Sequence, residues 1–257
     1  MNFVKIEKQE RIGYIILSRA EKRNALNDVF ISELKRAFGT LAVDSSVKVV
    51  ILKAEGEVFS AGADLEYLQR MQGFSFEENL ADSNNLKELF LTIQTLPKIV
   101  ICLAQGHAIA GGCGLASVCD FCFAVPEAKF GYTEVKIGFI PALVMVILLR
   151  KLNCGKAKEL LLTGKLITAE EAATIGLING VIQAEEIEDY VMSFAQNIIE
   201  EASSQSLTTT KELINAIVTM NLTEAMDYAA KMNAHARTSD DCKRGIDAFL
   251  KKEKINW

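Results

Sequence analysis

Histidine is almost missing from this chain: His107 and His235 are the only two in 257 residues, and they lie far apart. The six cysteines include one close pair, in Cys119-Asp120-Phe121-Cys122. A zinc centre needs a second such pair or two neighbouring imidazoles, so no metal site is expected. Most of the cysteines stand inside apolar stretches, where a free thiol packs as a small hydrophobe. Positive charge is not in excess either. A net charge of −5 and the lack of a basic-aromatic stripe argue against nucleic acid or an anionic membrane as partner. No apolar run reaches the length of about 18 residues that suits a membrane-spanning helix. The N-terminus, Met1-Asn2-Phe3-Val4-Lys5-Ile6-Glu7, lacks the basic-then-apolar layout of a secretory signal, so a cytoplasmic location is expected. Nucleotide motifs are missing as well. Neither glycine-rich loop contains Gly-Lys-Ser/Thr, and no Gly-x-Gly-x-x-Gly follows the first strand, which disfavours a P-loop and a Rossmann fold. Ser60 leads into Ala61-Gly62 and not into a Gly-x-Ser-x-Gly elbow.

Half of the residues are apolar, enough for a sizeable core. Their spacing changes along the chain. Gly13 to Leu17, Val47 to Lys53, Ile99 to Leu103 and Asp120 to Val125 read as strands rich in β-branched and aromatic residues. Between them stand helical patterns. Asn27 can cap a helix carrying Phe30, Leu34, Ala37, Phe38 and Leu41. Leu65 to Met71 reads as a short helix, and Leu86, Leu89, Phe90 and Ile93 mark a longer one stopped by Pro97. Pro141 suits the first turn of an apolar helix over Ala142 to Leu152. Thr168-Ala169-Glu170-Glu171 forms a capping box for a helix that ends at Gly176. From Glu185 onward the pattern is helical, through Ile187, Val191, Phe194 and Ile198 and on to Ile246 and Leu250. The fold class is α/β, followed by a helical C-terminal portion.

Two glycine-rich segments follow two of the strands: Phe59-Ser60-Ala61-Gly62-Ala63-Asp64-Leu65, and Gly106 to Leu115 with Gly111-Gly112-Cys113-Gly114 at its centre. Small residues let backbone N–H groups approach a ligand closely. Two N–H groups converging on one oxygen form an oxyanion hole, which stabilises the charge of an enolate or tetrahedral intermediate. Gly111 stands where a helix begins, and free amides there favour an anion. The pattern points to an enzyme acting on a carbonyl without a Ser, Cys or metal in covalent work. Asp64 reads first as a helix cap, and Asp120 as structural. His107 reads as structural or as a wall of the site. Tyr67, Leu68 and Met71 can line an acyl pocket or simply pack.

The order of strand, FSAGADL, helix, strand, GHAIAGGCGLA, helix and then Phe130-Gly131-Tyr132-Thr133-Glu134 resembles the crotonase (enoyl-CoA hydratase/isomerase) superfamily over about residues 3 to 257. Leu17 to Leu26, Leu160 to Gly164, Ala172 to Asn179 and Arg244 to Phe249 add to the resemblance. It implies a crotonase-like spiral of ββα units, with an α/β core over 1–190 and a helical oligomerisation region over 191–257. It also implies an acyl-CoA substrate, with coenzyme A entering as part of that substrate and not as a cofactor, and a homotrimer or homohexamer. Carried over by position, catalytic roles fall on Glu134 and on the N–H groups of Ala63 and Gly111. Substrate contacts fall on Lys22, Ala25, Ala61, Asp64, Leu65, Leu68, Gly112, Gly114, Pro141, Phe249 and Lys252. Arg19, Lys22 and Arg23, with Lys251, Lys252 and Lys254, are the implied cations for the coenzyme phosphates. One departure stands out: the family's first glutamate falls on Gly114, which has no side chain. Hydration of a 2-enoyl-CoA through Glu134 alone is expected. The alternatives are Δ3,Δ2-enoyl-CoA isomerisation, a methylglutaconyl-CoA hydratase-like activity, decarboxylation of a carboxyacyl-CoA, or a non-catalytic acyl-CoA-binding protein.

Overall fold

The computed structural model describes residues 2–257. Strands β1 (Val4–Gln9) and β2 (Ile12–Leu17) pair as an antiparallel hairpin. A 3-10 turn over Ala20–Lys22 leads to α1 (Asp28–Val43). As expected, Asn27 caps α1, its side chain accepting from Phe30 N, and Phe30, Leu34, Ala37, Phe38 and Leu41 face the core.

Three units then repeat one plan. The first is β3 (Val49–Ala54), β4 (Val58–Ser60), α2 (Leu65–Met71) and α3 (Phe76–Gln94). The second is β5 (Ile99–Ala104), β6 (His107–Ile109) and α4 (Gly111–Ser117). The third is β7 (Phe121–Ala124), β8 (Lys129–Gly131), a 3-10 turn over Glu134–Ile137 and α5 (Ala142–Lys151). The remainder is α6 (Cys154–Thr163), β9 (Ile167–Thr168), α7 (Ala169–Thr174), β10 (Gly180–Val181), α8 (Ile187–Glu201), α9 (Ser204–Ile217), α10 (Leu222–Thr238) and α11 (Asp240–Lys251).

In each repeat the long strand joins one sheet and the short strand another. The first sheet runs β1-β2-β3-β5-β7-β10, parallel from β2 onward; the second runs β4-β6-β8-β9. This is the expected α/β crotonase-like architecture. Strands β3 and β5 are covered on both faces and therefore read as nearly unbroken apolar runs. The short strands are three residues each and leave no periodicity to read. Their pairing matters most for the site. In parallel register Ser60 lies beside Ala108, and Ala108 beside Phe130, so the loops leaving β4, β6 and β8 emerge as neighbours.

One local expectation changes. Pro141 is the cap of α5, outside its first turn. Helix α7 ends at Thr174 with Gly176 just past its cap, and the chain returns to the sheet. There Asn179 N donates to Cys122 O at 2.7 Å and the Asn179 side chain accepts from Cys122 N at 2.8 Å. Residue 190, the expected end of the α/β core, stands within α8. That helix buries Ile187, Val191 and Ala195 in the main core and sets Phe194 edge-on to Phe121 and Phe123. Helices α10 and α11 bury no residue. Cys102, Cys113, Cys119 and Cys122 are buried in the core, where desolvation pushes the Cys113 thiol up to about 12.

Helix α9 is fastened to the body by Lys211. Its ammonium donates to Lys98 O at 3.0 Å and to Asp120 Oδ2 at 2.7 Å. Asp120 also accepts from Val100 N, which makes it a tie between sheet and helix and not a catalytic group. Burial still holds its carboxyl above the usual range, against the pull of Lys211. Lys211→Met leaves that buried carboxylate unpaired. The unfolding free energy in a denaturant titration is expected to fall by about 3 kcal/mol, the lower end for a broken buried pair; a fall below about 1 kcal/mol contradicts this role.

Candidate active site

The first loop, Ala61-Gly62-Ala63, is gripped from both sides of Ala63. Leu26 N donates to Gly62 O at 2.6 Å, and Asp64 N donates to Leu26 O at 2.9 Å. Successive amides of an extended chain alternate in direction, so the Ala63 N–H points away from Leu26. Gly62 has φ +90°, and a Cβ there would come within 2.9 Å of Ile109 O and 3.0 Å of Ala110 Cβ. The two glycine-rich loops are thus in direct contact.

In the second loop Ala110 takes φ 50°, ψ −123°, a conformation that costs a residue with a Cβ about 1–3 kcal/mol. Its N–H is fixed to Gly131 O at 2.8 Å. The strained step turns the chain sharply into α4, whose first amide is Gly111 N. Among the described residues, neither Ala63 N nor Gly111 N donates to an acceptor of the chain.

The third loop brings the carboxyl. Past Gly131, Tyr132 is fully buried with its hydroxyl 3.0 Å from Ser117 Oγ, which locks the β8 loop onto α4. Glu134 follows two residues later, half-buried, with Oε2 shielded from solvent and, among the described residues, without a hydrogen-bond partner. Desolvation holds its pKa above the ordinary glutamate value. The three loops open into one cavity of about 440 Å3. Its walls are mostly apolar, from Leu26 and Ile31 through Leu65, Leu68 and Met71 to Leu86, Ile140 and Val144. Such a site can hold an anionic oxygen on two amides with one carboxyl nearby to move a proton.

The cavity brings together Ala61, Ala63, Leu65, Leu68, Gly111, Glu134 and Pro141 from the sequence-derived set. Other members of that set lie elsewhere. Asp64 caps α2 through Glu66 N and Tyr67 N and pairs with buried Arg19 at 2.6 Å. Burial raises the Asp64 carboxyl, but the Tyr67 amide and Arg19 outweigh it and hold it below the usual range. Arg19 also donates to the carbonyl of buried Ala25, so it is no free cation for a phosphate, contrary to the sequence reading. Lys22 and Arg23 are exposed, and Lys22 pairs with Glu66. Gly112 is packed against Ser60, where a Cβ would sit 2.5 Å from the carbonyl oxygen. Phe249 and Lys252 lie at the exposed end of α11, outside the cavity wall. His107 is exposed on β6, its Nδ1 accepting from Lys129 N.

Gly114 carries the most information. A Cβ built there would lie 2.3 Å from Val144 Cγ1 and 3.0 Å from Phe90 Cζ. Both side chains are buried, so the room a glutamate would need is filled by hydrocarbon. Sequence reading missed this plug, and it missed Asp82 and Ser83 in the cavity wall. No motif marks them, since they reach the site only through the packing of α3 on α2.

The enoyl-CoA hydratase/isomerase family model matches residues 7–257. A Thermus thermophilus protein provisionally assigned as an enoyl-CoA hydratase is 40% identical over 249 residues, covering 97% of this chain and 98% of that protein. The crotonyl-CoA hydratase of Syntrophomonas wolfei is 33% identical over 254 residues, covering 98% and 96%. The crystal structure of an enoyl-CoA hydratase from Shewanella pealeana superposes with a TM-score of 0.94 at 28% identity, covering 99% and 96%.

Two outcomes follow from this packing. The native state holds the Glu134 proton to higher pH than the unfolded chain, whose glutamates titrate near 4.3. The group therefore lowers stability as pH rises through that interval and contributes nothing below it. Glu134→Gln is expected to raise the melting temperature at pH 7 and to leave it unchanged near pH 4; a lower melting temperature at pH 7 contradicts the desolvated carboxylate. Gly114→Glu is expected to cost about 1–3 kcal/mol by overpacking. Val144→Ala in the same chain should restore part of that loss. A double-mutant cycle showing coupling below about 0.5 kcal/mol would refute the plug.

Proposed function

The chain belongs to the enoyl-CoA hydratase/isomerase family, and on that premise we propose that it adds water to a 2-enoyl-CoA thioester to give the 3-hydroxyacyl-CoA. The observation that carries this reading is the Glu134 carboxyl, its Oε2 without a partner among the described residues, in the same apolar cavity as the two free amides. The thioester oxygen accepts from Ala63 N–H and Gly111 N–H. Glu134 takes a proton from water as its oxygen bonds to the β-carbon, and the electrons of the double bond move onto the thioester oxygen as an enolate. Glu134 then returns the proton to the α-carbon and is restored. Its raised pKa suits both halves, since a group titrating nearer neutrality exchanges protons with less cost in either direction. Loss of one oxyanion donor costs about 2.7–4 kcal/mol in comparable sites, enough to offset the strain of about 1–3 kcal/mol held at Ala110.

A second reading is favoured by the plug at Gly114. Moving a proton from the α-carbon of a 3-enoyl-CoA and placing it on the γ-carbon needs one carboxylate and no bound water. That is the Δ3,Δ2-isomerase reaction, for which Glu134 alone suffices.

Lys22 and Arg23 are the exposed cations nearest in sequence to the Leu26 clamp, and they suit the coenzyme phosphates. No residue of α8 to α11 stands in the cavity wall. The implied contacts of Phe249 and Lys252 are therefore best supplied by a second copy of the chain. Exposed Ile246, Phe249 and Leu250 on α11 support such an assembly as trimer or hexamer.

Incubation with crotonyl-CoA is expected to lower the enone absorbance to a new equilibrium value. Glu134→Gln should lower kcat by about 10²–10⁴-fold, the usual worth of general acid–base catalysis. The acid limb of kcat/KM should lie above the ordinary glutamate value and vanish in that variant. Unchanged turnover in Glu134→Gln contradicts the mechanism. Inertness toward crotonyl-CoA with conversion of a 3-enoyl-CoA to the 2-enoyl form would establish the second reading in place of the first.

A further inference from the structure

One stretch of the cavity wall is built from polar groups. Tyr67 on α2 is buried, and its hydroxyl donates to Asp82 Oδ1 on α3 at 2.5 Å. Both residues and the adjacent Ser83 line the cavity, beside Met71 and Leu86. Burial first, and Asp82 next, pushes the Tyr67 phenol up, so it remains a donor and holds the Asp82 carboxylate in place.

The surrounding charges do not cancel. Asp28 lies close by, with Oδ1 buried and lacking a hydrogen bond. Arg70 stacks on the outer part of the cluster, 5.0 Å from the Tyr67 ring centroid, and its guanidinium is directed to Asp28 at 3.7 Å. Two carboxylates and one guanidinium thus surround Tyr67, and that guanidinium is not part of the cavity wall. Among the described residues the wall holds Glu134 and Asp82 and no lysine, arginine or histidine.

We propose that Asp82, positioned by Tyr67, sets the substrate class: the cavity accepts acyl chains with a neutral end and rejects those that end in a carboxylate. This rests on the acyl-CoA reading above and narrows it. A carboxylate entering the cavity would lose its water, meet no counter-charge and stand near a like charge, which is the costly arrangement for a buried ion. A neutral hydrocarbon end loses nothing there, and a hydroxyl end could donate to Asp82. Glutaconyl-type and other carboxyacyl thioesters are thereby placed outside the substrate range.

The test is binding of saturated, unreactive thioesters, so turnover is not required. Hexanoyl-CoA and adipyl-CoA have the same chain length and differ in the terminal carboxylate. Titration calorimetry at pH 7 is expected to give hexanoyl-CoA at least about tenfold tighter binding, equivalent to ~1.4 kcal/mol. Asp82→Asn keeps an acceptor for Tyr67 and should shrink the ratio to below about threefold, since it removes the nearest like charge. Ser83→Lys, on an exposed position of the same wall, should also shrink it by supplying a counter-charge. Equal affinities in the parent protein, or a ratio that neither variant moves, overturns the proposal. Absence of binding for both thioesters overturns the acyl-CoA reading itself, and the specificity proposal with it.

Discussion

The contact of Gly62 with Ile109 and Ala110 is the constraint on which the site depends. It can form only because β4 and β6 are adjacent parallel strands, so that two loops separated by almost fifty positions in the chain leave the sheet side by side. The Leu26 backbone then uses both neighbours of Ala63, leaving that amide to the cavity. Gly131 O holds Ala110 N in a conformation it would not take alone and so aims the start of α4. The same strand carries Tyr132 into its contact with Ser117 and fixes the point from which Glu134 enters. Amides and carboxyl are therefore placed by main-chain pairing and one buried hydroxyl contact, with little left to side-chain freedom.

Apolar surroundings govern the chemistry of this placement. They leave Glu134 Oε2 without a partner, raise its pKa and strengthen the amide dipoles by excluding water. They also account for what is missing. Val144 and Phe90 close the space beside Gly114, so no side chain fits at that point of the site. The core is more complete there, and Glu134 is the carboxyl of the three loops that faces the cavity. At the Tyr67–Asp82 cluster the balance reverses: a charged group is kept in a largely apolar wall, where it acts on which acyl end can enter.

Much of this was legible in the sequence, for identifiable reasons. Strands β2, β3, β5 and β7 and the helices capped by Asn27 and Thr168 follow local periodicity and cap chemistry and lie close to their expected bounds, whereas β1 carries no such signal. The glycine-rich loops stood out because close approach of backbone leaves a compositional mark. The short strands of the second sheet left none, since three residues cannot display a period, yet their pairing brings the loops together. Arg19 read as a free surface cation because nothing local reveals its long-range pairing with Asp64. The plug at Gly114 and the placement of Asp82 depend on α5 and α3 meeting other helices, which a linear pattern cannot record.

The central claim is that Ala63 N–H and Gly111 N–H share one thioester oxygen beside Glu134. A crystal structure with bound acetoacetyl-CoA, whose enolate resembles the intermediate, tests it most directly. The account predicts the thioester oxygen about 2.7–3.1 Å from both amide nitrogens, with the Glu134 carboxyl facing the α- and β-carbons. A thioester oxygen bound away from these amides, or an Ala110 relaxed to an ordinary conformation in the complex, would contradict it.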